Sequence, residues 1–521
     1  MQGSGFKAVI IFLLLSILAF IAGSLAADSA SSALLPALMV IGVFLLLYLG
    51  KNAWSLVFIV PSVLTVLNYD ILSKMPVGNM AAGVVLFYIL LMAMMGHQRL
   101  RWNGIFYFDI IFLIFYVYFL YGWVRNPVTI RQFTSLTDYG YDQQLGGAYY
   151  IYAIASIFPF LVVSIIDQKL EKVLFVLKLA FWFTFTLSLI SMFRNYGELV
   201  SAGKAEAAFG ESRVNVFAIS GRNIITLLLC KSTFFGIMIS VWKLPVVLLA
   251  ALGILWSGTR MNILLLFCIL LWVSYFAKQL LWIFLCVLFS WGAIVYLSYQ
   301  VDFSNLPKTV YRASTVIPGV KYDEHLVGNA FHSLEWRMDM WSLAFDPSSG
   351  YIEDYTWGDG FAYSSYRERI RVTADSFGLI NLRSDYHYYA DNGGWHNGCI
   401  EIVHRTGFVG LALAIWLCGA GLCVAYKVWR YMPKIKNREY GLYYVVLMVG
   451  HVVFLFLERG FTELFNGAMF SASIAKMLYG SLKREGYMVN TSGRKYYVPL
   501  IMREDEAVQE PAEEKPRLQI L

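Results

Sequence analysis

The sequence predicts an all-α protein, a polytopic transmembrane helical bundle of about 12 to 14 spans with one large extracytoplasmic, mainly helical loop subdomain. Of its 521 residues, 59% are hydrophobic and only 14% are charged, whereas a soluble globular protein carries about 25% charged residues. Apolar runs such as 8–27 and 279–298 are continuous, unlike the alternating segments of about 10 residues in a transmembrane β-barrel. The composition excludes an ordinary water-soluble enzyme and a nucleic-acid-binding protein built on a basic face.

The candidate spans are fourteen apolar windows, of which 53–68 and 244–257 are the shortest. Each of the others is long enough, or nearly so, to cross the hydrocarbon core as a helix. The windows are 8–27, 33–50, 53–68, 77–96, 105–123, 149–166, 172–193, 223–241, 244–257, 261–277, 279–299, 407–426, 441–457 and 462–480.

Lys and Arg in the short loops predict the orientation. With the N-terminus in the cytoplasm, every loop on that side is basic, as the positive-inside rule requires. Both termini are then cytoplasmic, and the longest hydrophilic segment faces the opposite side. The basic positions are Lys51, Arg99, Arg101, Lys169, Lys172, Lys243, Lys278, Lys427, Arg430, Lys434, Lys436, Arg438, Lys483 and Arg484.

The predicted organisation has four parts: N-terminal transmembrane helices in 1–300, an extracytoplasmic catalytic loop subdomain in 301–405, C-terminal transmembrane helices in 406–482, and a cytoplasmic tail in 483–521. The 301–405 segment holds fourteen acidic and nine basic residues, together with eighteen Phe, Trp and Tyr residues. This many aromatic residues favour a folded unit over a disordered loop.

Two arginines on the extracytoplasmic side, Arg222 and Arg260, are predicted to lie where the chain turns back into the membrane. Each would lie at the N-terminus of a descending helix, where free N–H groups and a guanidinium suit the oxygens of a diphosphate head group. The alternatives are that both arginines snorkel to ordinary phospholipid phosphates or pair with loop carboxylates.

A third arginine, Arg337, shares one helix face with Trp341 and Ala344, because residues three or four apart are neighbours on a helix. The arginine could hold a phosphate while the indole stacks on a sugar ring. Alternatively, Arg337 and Trp341 form a cation–π pair that stabilises the subdomain.

Histidines are concentrated in the loop segment, where five of the seven lie: His325, His332, His387, His396 and His404. Imidazole is the side chain best suited to proton transfer near neutral pH. Zinc is the competing interpretation, but no spacing here matches a zinc-ligand pattern, so no metal site is predicted.

The order of these features along residues 215–425 is distinctive. A Gly-x-Asn segment and a Thr-Arg segment each open a span, and an Arg-x3-Trp-x2-Ala helix follows. A Gly-x-Gly turn and a His-Asn-x9-Gly-x2-Gly segment come last. The matching residues are Gly221, Arg222, Asn223, Thr259, Arg260, Arg337, Trp341, Ala344, Gly358, Gly360, His396, Asn397, Gly407 and Gly410.

In this order of motifs the chain resembles the O-antigen polymerase and O-antigen ligase superfamily of bacterial inner-membrane glycosyltransferases. The resemblance implies an inverting, metal-independent and cofactor-free enzyme on the periplasmic face of the inner membrane. Its donor would be a glycan on undecaprenyl diphosphate. The chain departs from the family pattern before Gly407, where Arg405 and Thr406 take the usual acidic position, and before Asn223, where no proline is present.

The resemblance also implies roles for individual residues. Arg222, Arg260 and Arg337 would bind the diphosphate and stabilise its growing charge. His396 would orient or deprotonate the acceptor hydroxyl. Asn223, Trp341 and Asn397 would contact substrate.

The motifs are shared by polymerases and ligases, so they leave three possible acceptors. It could be a second lipid-linked repeat unit, a lipid A core sugar or a protein, and we favour a polymerase of capsule, exopolysaccharide or O-antigen repeats. Membrane lipids and other polysaccharide-assembly proteins are the further expected partners.

The rival class is a flippase or transporter of lipid-linked sugars, which would carry charged residues buried mid-membrane. The predicted spans are nearly free of charge, which disfavours it.

Overall fold

The computed structural model describes residues 42, 44–60, 77–98, 100–127, 148–201, 215–256, 260–301, 318–321, 324–361 and 394–488. Within these residues 81% are helical and none forms a strand. The predicted all-α class is therefore confirmed.

The longer helices are numbered here in chain order. Short helical turns also occur at Gly50–Ser55, Phe234–Met238 and Pro347–Ser349. The bounds are α1 Val77–Met94, α2 Phe106–Arg125, α3 Ala148–Ile165, α4 Leu170–Ser201, α5 Asn215–Lys231, α6 Lys243–Trp256, α7 Arg260–Phe276, α8 Leu280–Gln300, α9 Glu324–Phe345, α10 Gly398–Tyr431, α11 Arg438–Phe454 and α12 Met469–Arg484.

Four helical segments of the described chain are long and apolar enough to cross a membrane: Phe106–Arg125, Leu280–Gln300, Gly398–Tyr431 and Arg438–Arg484. Shorter apolar helices accompany them at Phe44–Val60, Asn79–Met94, Tyr149–Ile165, Lys243–Ile254 and Met261–Phe276. This pattern supports the predicted membrane protein class, because a span needs roughly 20 apolar residues. The predicted window 8–27 lies outside the described residues.

The Arg438–Arg484 segment is a helical hairpin. Its backbone leaves helical geometry at Gly460, where φ is 45° and ψ is −126°. Beyond this point Leu478 packs against Gly441 on the other limb, and Ala472 and Met448 both pack against Gly421 of α10. The segment is therefore two antiparallel limbs that meet at Gly460, as the separate windows 441–457 and 462–480 predict.

One end of the bundle, called here the basic end, is fastened by a buried ion pair. Lys476 of α12 donates to Asp109 of α2 and to Ser164 of α3, both at 2.6 Å. Next to it, Arg484 forms an ion pair with Asp167 at 2.6 Å. Three helices are thus tied together at this end.

The opposite end, called here the loop end, contains the last turn of α2, the first turn of α10 and the Gly460 turn. Phe361 is 2% exposed, and its ring lies 4.8 Å from that of Tyr149 and 5.5 Å from that of Phe461. Because Phe361 belongs to the segment outside the spans, this aromatic cluster anchors that segment to the bundle.

The predicted loop subdomain is described only in part, at 301, 318–321, 324–361 and 394–405. Residues 302–317, 322–323 and 362–393 lie outside the described residues, so the subdomain as a unit stays a prediction. Helix α10 crosses the predicted boundary between 405 and 406, and its backbone is kinked at Gly407.

Candidate functional site

Helix α9 packs on the segment that leads into α10. Trp341 donates its indole N–H to the carbonyl of Trp395 at 2.8 Å. Met340, Ala344 and Trp395 are all completely buried. The predicted Arg337, Trp341 and Ala344 face is therefore the face that meets the residues next to His396 and Asn397, which brings these two predicted groups together.

Tyr355 reinforces this packing. Its hydroxyl donates to the carbonyl of Ala344 at the end of α9, at 2.7 Å. Burial raises the pKa of the Tyr355 hydroxyl, so the phenol stays protonated and remains a donor across the physiological range.

His396 has a left-handed backbone, with φ at 47°. This conformation is uncommon for residues other than glycine, although histidine adopts it more often than most, and it occurs preferentially at turns and functional sites. The imidazole is half-buried, with its ring centre 5.8 Å from that of Trp336 on α9. The turn at His396 thus places the imidazole against α9.

Asn397 is the N-cap of α10. Its side-chain oxygen accepts hydrogen bonds from the backbone N–H groups of Cys399 at 3.0 Å and Ile400 at 3.2 Å. These are two of the N–H groups that a helix cannot satisfy internally. The side-chain oxygen of Asn397, which was predicted to contact substrate, therefore has a structural role in this protein.

Arg337 is half-buried, and its Nε makes no hydrogen bond within the described part of the chain. No described contact places the Arg337 guanidinium over the Trp341 ring. The N–H of that ring donates to the carbonyl of Trp395. The cation–π alternative therefore has no support here.

Two glycines of the predicted motifs, Gly358 and Gly407, are explained by one close contact between the loop segment and α10. At Gly407 φ is 65° and ψ is −177°, which kinks the helix. Gly358 packs on this kink so closely that a Cβ atom would overlap the backbone of Arg405 and Thr406. The N–H of Phe408, freed by the kink, donates to the carbonyl of Tyr355 at 2.8 Å.

His404 holds this contact in place. Its Nδ1 accepts from the indole N–H of Trp395 at 2.9 Å, and its Nε2 lies 3.5 Å from the carboxylate of Asp359. Asp359 in turn accepts from the backbone N–H of Asp354 at 2.8 Å. Because His404 is completely buried, we assign it a structural role.

Glu401 and Arg405 are buried residues that the sequence analysis did not assign to the site. Glu401 is 4% exposed and accepts from the N–H of Phe461 at 3.3 Å. Arg405 is 2% exposed and donates to the carbonyl of Gly360 at 3.2 Å. The sequence feature that could have identified Glu401 and Arg405 is their spacing of four residues, which places opposite charges on one helix face.

Arg222 lies in the third turn of α5, which begins at Asn215. The prediction that it lies at a helix N-terminus is therefore wrong; the apolar window starting at 223 missed the first turns of α5. Its guanidinium donates to Asn262 of α7 at 3.4 Å and is within electrostatic reach of Glu463. The neighbouring Asn223 is 7% exposed and thus buried among the helices.

Arg260 is the first residue of α7, as predicted; its side chain lies outside the described residues. Asn262, which accepts from Arg222, follows two positions later. The structure therefore brings the start of α7 next to Arg222.

The Gly460 turn joins the two groups of predicted residues. Gly398, which follows the His396 and Asn397 pair, packs so closely on the carbonyl of Leu455 that no side chain would fit. Glu463, three positions after Gly460, is within electrostatic range of Arg222. The turn therefore packs on the junction between α9 and the start of α10, called here the loop junction, and it carries a carboxylate that influences Arg222.

Charged residues also lie inside the helices. Besides the Lys476 and Asp109 pair, His451 hydrogen-bonds to Glu463 within the hairpin. The spans are nearly free of charge, as predicted, and these two pairs are exceptions. Lys476 and Asp109 have opposite charges and lie on different helices, so the composition of a single window does not reveal that they are paired.

Among the residues that the structure describes, no three His, Cys, Asp or Glu side chains converge as metal ligands. His387 lies outside that part. Comparison of the chain with models of known protein families and with curated proteins finds no match in either case.

Proposed function

We propose that this protein is an inverting glycosyltransferase that polymerises glycans carried on undecaprenyl diphosphate. The observation that carries the proposal is the position of the Gly460 turn relative to the two predicted groups. The loop junction packs on this turn through Gly398. Glu463 of the turn is within electrostatic range of Arg222, which hydrogen-bonds to Asn262 at the start of α7. A phosphate-binding group and an acid–base group at one end of a membrane bundle suit a lipid-linked donor.

In this proposal Arg222, Arg260 and Arg337 bind the diphosphate. As the glycosidic bond to the diphosphate breaks, its electrons pass to the leaving oxygen, and the guanidinium groups stabilise this charge. The acceptor hydroxyl attacks the opposite face of the anomeric carbon. His396 orients or deprotonates that hydroxyl.

The apolar surroundings strengthen these interactions. Arg222 is half-buried among helices, where the effective dielectric constant is far below that of water. The buried Nε of Arg222 makes no hydrogen bond within the described residues. The guanidinium therefore has unused donor capacity for a phosphate oxygen.

The test is substitution of Arg260 and Arg337 by Ala and by Lys. Loss of one transition-state donor costs about 10²-fold or more in rate, and Lys should restore only part of it because the fork geometry is lost. The control is Arg430→Ala, since Arg430 is also half-buried but lies at the cytoplasmic end of α10 in the predicted topology. Full activity of the Arg260 and Arg337 variants at normal protein levels would reject the proposal.

An O-antigen ligase is the alternative within the same chemistry. It would transfer the glycan to lipid A core or to a protein rather than to a second repeat unit. Supplying the reconstituted protein with both kinds of acceptor distinguishes the two enzymes.

A lipid-linked sugar flippase is the alternative from another class, favoured by the ion pair between Lys476 and Asp109 within the helices. Deletion of the gene separates the two classes. Lipid-linked repeat units should accumulate in the outer leaflet if transfer fails, and in the inner leaflet if flipping fails.

A further inference from the structure

The hairpin contains an imidazole–carboxylate pair that the roles above do not use. His451 of α11 hydrogen-bonds through Nδ1 to the Oε1 atom of Glu463 across the Gly460 turn. The carboxylate side chain is 13% exposed and the imidazole 28% exposed. Because Nδ1 is the nitrogen that bonds to the carboxylate, Nε2 is the ring nitrogen that this hydrogen bond leaves for a substrate.

The backbone around this pair is irregular. Two π-helical turns, Leu455–Arg459 and Leu464–Ala468, flank the Gly460 break. Gly467 lies beside the pair, where a Cβ atom would overlap both the carboxylate and the imidazole. π-Helical turns occur frequently at functional sites, and three local irregularities here converge on one pair of side chains.

The pair also lies near the residues assigned to the substrate. Glu463 is within electrostatic range of Arg222, which the proposed function assigns to the diphosphate. His451 lies one turn before Leu455, whose carbonyl meets Gly398 at the start of α10. The pair is thus next to the part of the hairpin that packs on the loop junction.

We propose that His451, oriented by Glu463, is the proton acceptor of the transfer reaction, so that His396 positions the acceptor. This inference rests on the proposed function. The acceptor oxygen forms the new bond to the anomeric carbon while the bond to the diphosphate breaks with its electrons. The hydroxyl proton passes to Nε2 of His451 and from there to water. A carboxylate that fixes the tautomer of a basic imidazole is a general arrangement for proton abstraction.

The test compares His451→Ala with His396→Gly, each with and without added imidazole. Glycine is used at 396 because the backbone there is left-handed. Turnover should fall by about 10² to 10⁴-fold in His451→Ala, while binding of undecaprenyl diphosphate, used alone as the probe, should stay within about 2-fold. Imidazole should restore part of the turnover of His451→Ala and none of that of His396→Gly. The exposed His97 provides the control, and His97→Ala should behave as wild type.

Rescue of His396→Gly by imidazole, or no rescue of His451→Ala, would overturn the inference and leave the proposed function intact. Weakened binding of undecaprenyl diphosphate by His451→Ala would assign the pair a structural role instead. A wild-type protein that transfers no glycan would reject the proposed function and this inference together.

Discussion

The cap at Asn397 yields a quantitative prediction that separates folding from substrate contact. Its side-chain oxygen satisfies the N–H groups of Cys399 and Ile400, and removal of such a cap costs about 1 kcal/mol. Asn397→Ala should therefore lower the free energy of opening of the first turn of α10 by that amount. Asn397→Ser keeps an acceptor oxygen and should preserve most of the stability.

Hydrogen exchange measured by mass spectrometry on peptides covering residues 398–402 is the direct assay. A loss of about 1 kcal/mol predicts roughly fivefold faster exchange in Asn397→Ala. Glycan transfer should fall in Asn397→Ala and remain near the wild-type level in Asn397→Ser. Unchanged exchange in Asn397→Ala would refute the cap. Normal exchange with lost transfer in Asn397→Ser would show that the amide N–H₂ contacts substrate.

Three further changes test the packing and the orientation of the bundle. Gly398→Ala should destabilise the protein by about 1–3 kcal/mol through overpacking, seen as a lower melting temperature and reduced transfer. Gly419→Ala in the same helix has open space around it and should be neutral or slightly stabilising; equal losses in both would contradict the close contact. Lys476→Met should lower the free energy of unfolding in mild detergent by about 3 kcal/mol, because it leaves the half-buried carboxylate of Asp109 without its partner; an unchanged free energy of unfolding would show that the ion pair is not needed. Cysteines introduced at Ser348 and Ser492 should react with impermeant reagents from opposite sides of the membrane, and labelling from the same side would disprove the predicted topology.

The spans and the loop junction were predictable from local sequence. Window 105–123 corresponds to α2 and window 279–299 to α8, because runs this apolar are stable as helices in a bilayer. The packed face of α9 was predicted correctly from the spacing of Arg337, Trp341 and Ala344, because helical periodicity alone determines which residues share a face.

The interactions across the Gly460 turn were not predictable. His451 and Glu463 are twelve positions apart and meet only because the chain reverses between them. The window that begins at 407 matches the kink at Gly407, but the helical turns before the kink, from Gly398 onward, were not predicted, because Glu401, His404 and Arg405 lower their apolar content. Those charges are buried by contacts with Phe461, Trp395 and Gly360, which no window contains.

The most direct test of the glycosyltransferase proposal is transfer by the purified protein in liposomes. The substrate would be a repeat unit on undecaprenyl diphosphate, and the measured products would be glycan length and released undecaprenyl diphosphate, in buffer with EDTA. The proposal predicts glycans longer than one repeat unit, with one undecaprenyl diphosphate released for each bond formed, at a rate that the chelator does not change. Movement of the lipid-linked repeat unit between leaflets without any glycan longer than one unit would contradict it.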